Sequence, residues 1–326
     1  MKLSDLGERK AIELISRILS RGDAAVGIGD DCAAIDFNQE YLLVSTDMIS
    51  QKTHMPSEMT PFQIGWFIVA INLSDIAAKG GGPLGLVLSL GLPKNISESY
   101  LKELMKGANA CTTHFGTSIV GGDTKETMDI TICGTAFGIV KKDEFMPRKG
   151  AKPGDMVAIT GDLGKAGAGH CALKYHIKDQ DILKGLLEPT PRLREGRSLA
   201  EEKIVSSCMD ISDGLSSSLY QLQDVNHVGF EIDREQIPIA SELLNIQERK
   251  KIDVYKYALH FGGDYELLVT IPVDKLDRAV KSMEKIGTNF TAIGKVTKSK
   301  NVTIVSENAK KLLKNMGYEH FKRHIF

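Results

Sequence analysis

Apolar positions in the first half of the chain follow two different spacings. Helical spacing predicts three helices there, at residues 9–20, 60–79 and 97–114. Alternating or continuous apolar runs predict four strands, at residues 41–46, 84–90, 117–120 and 129–140. The first half therefore mixes helices with strands.

A polar segment containing glycine and proline, RKGAKPGD at residues 148–155, divides the chain. We expect an N-terminal domain over residues 1–150 and a C-terminal domain over residues 151–326. Beyond the segment, the spacing predicts strands at 156–160, 266–271 and 291–296 and helices at 193–207, 213–225 and 274–286. This alternation indicates an α+β, or mixed α/β, fold class.

Composition narrows the class of protein. The 326 residues include 41 Lys and Arg against 42 Asp and Glu, so no basic surface for nucleic acid is expected. Five widely separated cysteines are typical of free thiols in a reducing compartment. The beginning, MKLSDLGERK, has no apolar core of a signal peptide, and no apolar run approaches the roughly 18 residues of a membrane span. We expect a cytoplasmic protein without membrane partners.

Acidic residues recur beside Gly, Ser or Thr at the ends of predicted elements. They are Asp30 and Asp31 in GIGDDC, Asp47 in STDM, Asp75 in NLSD, Asp123 in GGDTK, and Asp210 with Asp213 in MDISDG. Carboxylates that converge at such turns repel one another unless cations intervene, and hard oxygen ligands of this kind suit Mg²⁺ bound to phosphates. Taken singly, an Asp beside Gly or Ser is more often a helix N-cap or a turn residue than a metal ligand, and Asp75 and Asp213 could simply flank helices.

Other phosphate-binding motifs are weaker. GIGDD lacks the third glycine of a dinucleotide fingerprint, and the chain has no Walker A loop. The stretch TGDLGKAGAG at residues 160–169 follows a predicted strand, so its amides could hold an anion, or it is simply a glycine-rich turn. His170, His176 and His227 have no partner pattern and receive no role.

Longer motifs carry a resemblance to a known family. From about residue 5 to residue 321 the chain contains, in order, GIGDDCAAI, VSTDM, INLSDIAAKGG, VGGDT, RKGAKPGD, TGDLG, MDISDGL, GGDYELL and GYEHF. This series resembles the thiamine-monophosphate kinases, relatives of aminoimidazole ribonucleotide synthetase and selenophosphate synthetase. The resemblance implies a two-domain fold in which the N-terminal sheets of two subunits form a barrel in a homodimer, each followed by a C-terminal α/β domain.

The resemblance also implies site residues. The implied Mg²⁺ ligands, around the phosphates of ATP, are Asp31, Ser45, Thr46, Asp47, Asp75, Asp123, Asp210 and, for a further ion, Asp213. The implied ATP contacts are Gly122, Asp123, Arg148, Ser212 and, by a looser match, Tyr100. The implied contacts to thiamine monophosphate are His54, Gly263 and Tyr318. At Gly263 the family commonly has glutamate, so Asp264, Glu266 or water would take its place.

The implied reaction is direct transfer of a phosphoryl group from ATP to thiamine monophosphate, giving thiamine diphosphate and ADP. No general base is expected, because the accepting phosphate oxygen is already ionised at neutral pH. One alternative is another ATP-dependent enzyme of the superfamily, such as a selenophosphate synthetase or a hydrogenase-maturation protein. A selenophosphate synthetase would carry a reactive Cys in a glycine-rich N-terminal segment, whereas Cys32 follows the acidic loop and reads as a small apolar filler. A non-catalytic nucleotide-binding protein is the second alternative.

Overall fold

Two mixed β-sheets organise the chain, one in each half. The computed structural model describes residues 2–20, 22–307 and 309–322. The first sheet has the order β1-β2-β5-β3-β4, with β1 at Ala33–Phe37, β2 at Glu40–Ser50, β3 at Gly82–Leu92, β4 at Ile119–Glu126 and β5 at Thr131–Lys141. The second has the order β12-β11-β8-β10-β6-β9-β7, with β6 at Met156–Thr160, β7 at Ser207–Asp210, β8 at Gly229–Asp233, β9 at Leu267–Ile271, β10 at Phe290–Thr297, β11 at Val302–Ser306 and β12 at Ala309–Leu312. The expected mixed α/β class is confirmed.

Helices connect and cover the strands. In the first half they are α1 at Leu3–Leu6, α2 at Glu8–Ile18, α3 at Gln51–His54, α4 at Pro61–Ala78 and α5 at Glu98–His114. In the second half they are α6 at Lys165–Lys174, α7 at Gln180–Leu187, α8 at Leu193–Glu202, α9 at Leu215–Asn226, α10 at Ser241–Lys250, α11 at Val254–His260 and α12 at Leu276–Lys285. Short 3₁₀ turns lie at Arg234–Gln236 and Val273–Lys275.

Helix α4 is the central element of the first half. Thr60 caps it, since its hydroxyl accepts a hydrogen bond from the Gln63 amide, and Pro61 occupies the first turn. The helix contacts β2 and β5 of the first sheet, α5, and β7 and α8 of the second half. Because other elements cover most of its surface, it is apolar except for a few polar residues, among them Asn72, Ser74 and Asp75. Among the described residues it is the only helix long and apolar enough to cross a membrane, and 72% of it is buried inside the protein.

The two faces of the first sheet differ. Along β2 and β5, paired from Glu40–Lys141 to Ser50–Thr131, alternate residues point to opposite faces. The inner face packs against α4, and Leu43 and Ile132 on it are fully buried. The outer face carries apolar side chains that remain exposed, among them Ile35, Phe37, Met48 and Val120. An apolar face of this kind indicates a surface that another element or chain covers.

Helices cover both faces of the second sheet. Val157 and Ile159 of β6 point toward α9, whereas the intervening Ala158 lies in a core with residues of α8 and α12. Ala78, at the end of α4, belongs to that same core. The two halves therefore pack directly on each other through α4 and α8.

Two predicted elements differ from the structure. The helix predicted over 193–207 ends at Glu202, because Lys203 takes a left-handed conformation with φ of 53°. The chain then forms β7, which pairs with β9. Strand β4 extends to Glu126, well past the predicted end at residue 120, because parallel pairing with β3 continues through GGDTKE. The expected boundary at residue 150 stays a prediction.

Candidate functional site

Three buried carboxyl groups meet where the two halves of the chain join. Asp31 follows the GIGD loop before β1, Asp75 lies in the last turn of α4, and Asp210 ends β7. One oxygen atom of each carboxylate lies within 4.8 Å of those of the others. The structure therefore brings together three of the acidic residues that the sequence singled out.

The charges in this acidic cluster repel one another. Burial, followed by the charges of Asp47, Asp210 and Asp31, raises the pKa of Asp75 well above its ordinary value. Burial and Asp31 raise the pKa of Asp210 to about 7 and that of Asp47 to about 6. Burial and the charge of Glu8 raise the pKa of Asp213 to about 6, and Arg9 opposes them. Buried carboxyl groups with raised pKa values are an arrangement that a bound cation would relieve.

Two basic side chains neutralise Asp31. Arg148 donates to its Oδ1 from Nε at 2.8 Å and also from a terminal nitrogen. The Lys79 ammonium lies 2.7 Å from its Oδ2. Burial alone would raise the pKa of Asp31, but Arg148 and Lys79 lower it below its ordinary value. The Oδ2 atom is buried and, despite the close ammonium, receives no directed hydrogen bond from the described residues, so it keeps lone pairs for a further cation. This donor set fits a hard divalent cation such as Mg²⁺.

Two serine hydroxyls orient the other carboxylates. Ser45, on the inner face of β2, donates to Asp75. Ser74 donates to Asp210 at 2.6 Å and joins the two halves of the chain. Ser45 was expected among the metal ligands, whereas Ser74 was missed. The signal that could have found Ser74 is its position directly before Asp75 in NLSD, at the end of a buried helix.

Two expected metal ligands lie apart from the cluster. The Thr46 hydroxyl is on the outer face of the first sheet, 3.0 Å from that of Thr135, because neighbouring residues of a strand face opposite ways. Asp123 lies on the edge strand β4, where its exposed carboxylate is 3.3 Å from the Lys125 ammonium. Metal binding by Thr46 and Asp123 stays a prediction.

The residues expected to contact ATP lie at different distances from the acidic cluster. Arg148 contacts the cluster directly. The carbonyl of Ser212, an expected ATP contact, accepts a hydrogen bond from the Gly263 amide at 2.7 Å. Its neighbour Asp213, expected to hold a further Mg²⁺ ion, follows β7 and receives a hydrogen bond of 3.4 Å from Gln221. Both roles stay predictions.

Two further expected ATP contacts lie on the first half. Gly122 passes so close to β3 that a Cβ atom there would lie 2.0 Å from the Leu88 carbonyl oxygen, which excludes any other residue. Tyr100 lies in the first turn of α5 and packs against the first core. Nothing in its position connects it with the cluster, and its contact with ATP stays a prediction.

Two of the three residues expected to bind thiamine monophosphate, His54 and Tyr318, form an aromatic group with His320. The rings of His54 and His320 are 5.2 Å apart, and the Tyr318 hydroxyl lies 3.2 Å from Nδ1 of His320. The Tyr318 amide donates to the Asp213 carbonyl at 3.0 Å, so the C-terminal segment reaches the edge of the cluster. Burial and His320 lower the pKa of His54 to about 4. The sequence offered His320 within GYEHF, but its role was missed.

A cavity of about 550 Å³ opens beside His54. Phe67, His170 and Phe261 also line it, and the rings of His170 and Phe261 are 5.0 Å apart. Apolar and aromatic walls with a few polar groups are typical of small-molecule sites. His170 received no role from the sequence, because its partners come from distant parts of the chain.

The neighbours of Gly263 are engaged elsewhere. Asp264 accepts hydrogen bonds from the amides of Gly164 and Ala166 at 2.7 and 3.0 Å. The first turn of α6, which could have held an anion, is thus occupied by a carboxylate of the protein itself. Glu266 is buried and bound by Arg192 and Thr160. Neither side chain is available to replace the glutamate that the family commonly has at Gly263.

Family models match both halves of the chain. The model of the AIR synthase related protein, N-terminal domain, matches residues 29–140, and that of the C-terminal domain matches residues 152–307. The thiamine-monophosphate kinase of Pyrococcus horikoshii is 37% identical over 297 residues, covering 90% of this chain and 91% of the relative. The chain belongs to the thiamine-monophosphate kinase family. The Escherichia coli K12 member of this family is 31% identical over 311 residues, with 93% and 94% covered.

Solved structures of thiamine-monophosphate kinases have the same fold. AaThiL complexed with AMPPCP and TMP superimposes with a TM-score of 0.87 at 29% identity and covers 98% of this chain and 99% of its own. The hydrogenase maturation protein HypE of E. coli gives a TM-score of 0.72 at 18% identity, a likeness of fold alone.

Proposed function

We propose that this chain transfers the terminal phosphoryl group of ATP to thiamine monophosphate in a Mg²⁺-dependent reaction. The observation that carries the proposal is the buried cluster of Asp31, Asp75 and Asp210, whose carboxylate oxygens converge within 4.8 Å and in which the pKa values of Asp75 and Asp210 are raised. The related AaThiL was solved with AMPPCP and TMP, which supports these two substrates.

In the proposed reaction, the residues of the site have separate roles. Mg²⁺, when bound by the acidic cluster, neutralises the phosphate oxygens of ATP. Asp31, Asp75 and Asp210 would hold the ion, and Ser45 and Ser74 orient two of these carboxylates. Arg148 presents a planar guanidinium at the edge of the cluster, where it can bind a phosphate group through two hydrogen bonds.

The bond changes need no proton transfer by the protein. An ionised oxygen of thiamine monophosphate forms the new bond to the γ-phosphorus, and the bond from that phosphorus to the β–γ bridging oxygen breaks in line with it, releasing ADP. Catalysis then consists of positioning and charge neutralisation. This agrees with a site built from carboxylates and Arg148.

Thiamine monophosphate would lie in the cavity beside His54. The aromatic group formed by His54, His320 and Tyr318 lies between this cavity and the edge of the cluster. Because the thiazolium of the substrate is a cation, an aromatic wall there gains cation–π attraction. Gly263, with φ of 97°, has no side chain where the family commonly has a larger one, and a Cβ atom there would lie 3.3 Å from that of Ala166.

We also propose a cytoplasmic homodimer. The outer face of the first sheet exposes 54% of Phe37 and 60% of Met48 to solvent, and burying such a face against a second copy would remove this apolar area from water. Two sheets joined in this way would form the expected barrel.

A substrate panel tests the reaction. The protein would be incubated with ATP, Mg²⁺ and, separately, thiamine monophosphate, thiamine, selenide or formylglycinamidine ribonucleotide, with thiamine diphosphate and ADP measured. We expect one ADP for each thiamine diphosphate, with thiamine monophosphate alone as acceptor. Turnover of selenide or the ribonucleotide instead would assign the chain to another reaction of the superfamily. ATP binding without any turnover would favour a non-catalytic nucleotide-binding protein.

A further inference from the structure

A completely buried lysine lies behind the acidic cluster. Lys79 follows the last turn of α4 and has no exposed surface. Its Nζ lies 2.6 Å from Oδ1 of Asp30 and 2.7 Å from Oδ2 of Asp31, and it donates to the carbonyl of Cys208 at 2.9 Å. An ammonium group has three N–H bonds. All three have an oxygen within reach inside the protein.

A lysine in such a position carries a high desolvation cost. Lysine is among the residues least often buried, because its long side chain normally carries the charge to water. Here burial would lower the pKa of the ammonium, but Asp31 and Asp30 raise it above its ordinary value. Two carboxylates and a carbonyl oxygen thus hold the ammonium charge beside the acidic cluster.

We propose that Lys79 is a positioning residue of the metal site. Its ammonium group orients the carboxylate of Asp31 and supplies part of the positive charge that metal ions from solution would otherwise supply. The inference rests on the proposed Mg²⁺-dependent function. Arg148 differs from it, because the Arg148 side chain keeps 17% of its surface exposed and can turn toward a phosphate group. In this proposal Lys79 stays bound to Asp31 throughout, whereas Arg148 can exchange Asp31 for a phosphate group.

Two consequences follow for a bound metal ion. Before the ion arrives, Lys79 keeps the carboxylates of Asp30 and Asp31 in place although they are buried. After it arrives, the ammonium repels the ion, since both contact the same carboxylate. Removing the charge of Lys79 should therefore lower the stability of the metal-free protein and raise its affinity for Mg²⁺. A lysine that only supported the fold would affect stability alone.

The decisive variant is Lys79→Met, which keeps an unbranched side chain as far as the ε position and removes the charged ammonium group. Melting temperatures are measured in EDTA and in excess Mg²⁺, and Mg²⁺ affinity is measured by calorimetric titration in the presence of AMPPCP. We expect a lower melting temperature in EDTA, most of which Mg²⁺ restores. We also expect the Kd for Mg²⁺ to fall at least about tenfold, which corresponds to about 1.4 kcal/mol.

Arg192→Met is the matched control. It removes a partly buried cation from Glu266, a buried carboxylate outside the acidic cluster, and should lower the melting temperature equally with and without Mg²⁺. If Lys79→Met does not fold, Lys79→Gln is measured in the same way, because its uncharged amide keeps a hydrogen-bond donor near the oxygens of Asp30 and Cys208.

The outcomes separate the inference from the proposed function. If the variant at Lys79 has the Mg²⁺ affinity of the wild type and loses the same stability in both buffers, Lys79 is a structural residue and the inference fails while the function stands. If the wild-type protein with AMPPCP binds no Mg²⁺, the proposed function itself fails.

Discussion

The guanidinium of Arg148 connects the acidic cluster with α9, because it binds Asp31 and donates to Gln221 at 3.1 Å. Lysine at this position would keep the charge but lose the planar pair of donors. We predict that Arg148→Lys raises the KM for ATP and lowers kcat, and that Arg148→Ala does so more strongly. Steady-state kinetics with ATP varied would measure both. Unchanged kinetics in both variants would leave Arg148 as a partner of Asp31 only.

Tyr318 is the residue on which substrate recognition can be tested alone. An aromatic face beside a cationic heterocycle contributes roughly 0.5–2 kcal/mol, which corresponds to about a 3- to 30-fold change in KM. We predict this rise in the KM for thiamine monophosphate in Tyr318→Ala, with the KM for ATP nearly unchanged, and most activity retained in Tyr318→Phe. A variant that melts early with an unaltered KM would make Tyr318 an anchor of the C-terminal segment.

The burial of Asp264 predicts that the stability of the protein depends on pH in a specific way. Burial raises its pKa to about 7, although the amides of Gly164 and Ala166 oppose the shift. The folded carboxyl group holds a proton between about pH 4 and 7 that the unfolded one releases. Its contribution to the free energy of unfolding is therefore fully present below about pH 4 and is lost as the pH rises through 7.

We predict that Asp264→Asn removes this dependence. The melting temperature of the wild type, relative to that of the variant, should fall as the pH is raised from about 5 to 8. Thermal unfolding across this range measures the difference. Parallel curves for the two proteins would show that Asp264 does not titrate there.

At the scale of elements, the contact between α4 and α5 depends on two glycines. A Cβ atom on Gly107 would lie 1.8 Å from the Phe62 carbonyl oxygen, and one on Gly65 would lie 1.9 Å from that of Leu104. The helices therefore touch through their backbones. Helices this close leave no space for even a methyl group, so any side chain at the crossing must push them apart.

We predict that Gly107→Ala destabilises the protein by roughly 1–3 kcal/mol through overpacking, more than alanine returns in helix propensity. Gly82→Ala is the control, because the nearest atom to its Cβ would be 4.0 Å away. Chemical denaturation of both variants gives the comparison. Equal stabilities would mean that α4 and α5 separate at little cost.

The elements that the sequence predicted best are those whose signals are local. Ser97 caps α5 as expected, and β6 has the predicted bounds of 156–160. Strand β7 was missed because its four residues are all buried, so they show no alternation, and its partner β9 lies far along the chain. The register of β4 likewise depends on β3, which no local pattern reveals.

At the scale of the whole molecule, the outer face of the first sheet predicts the oligomeric state. We predict that Phe37→Glu converts a dimer to a monomer, because a charge in an apolar interface loses its hydration. Sedimentation or light scattering measures the mass. Leu244→Glu, on α10 and 41% exposed, is the control and should leave the mass unchanged. A wild-type monomer at micromolar concentration would contradict the dimer.

The candidate site could be predicted from the sequence only in part. The acidic motifs identified Asp31, Asp75 and Asp210, but their meeting depends on how α4 packs against β7, which spacing along a chain does not encode. Lys79 carried no signal, because a lysine before three glycines reads as the end of a helix. His320 was visible within its motif, and only the fold shows that its ring lies beside His54.

The acidic cluster also sets an order of events while the chain is being synthesised. Asp31, Asp75 and Lys79 leave the ribosome early, whereas Arg148 and the strand that carries Asp210 follow on the order of ten seconds later at about 5–20 residues per second. Until then the end of α4 stays hydrated, and the carboxylates of Asp31 and Asp75 repel each other without Arg148 to neutralise them. The end of α4 therefore cannot reach its final packing until β7 has been synthesised. Translation pauses between residues 79 and 210 would lengthen the time during which it stays exposed.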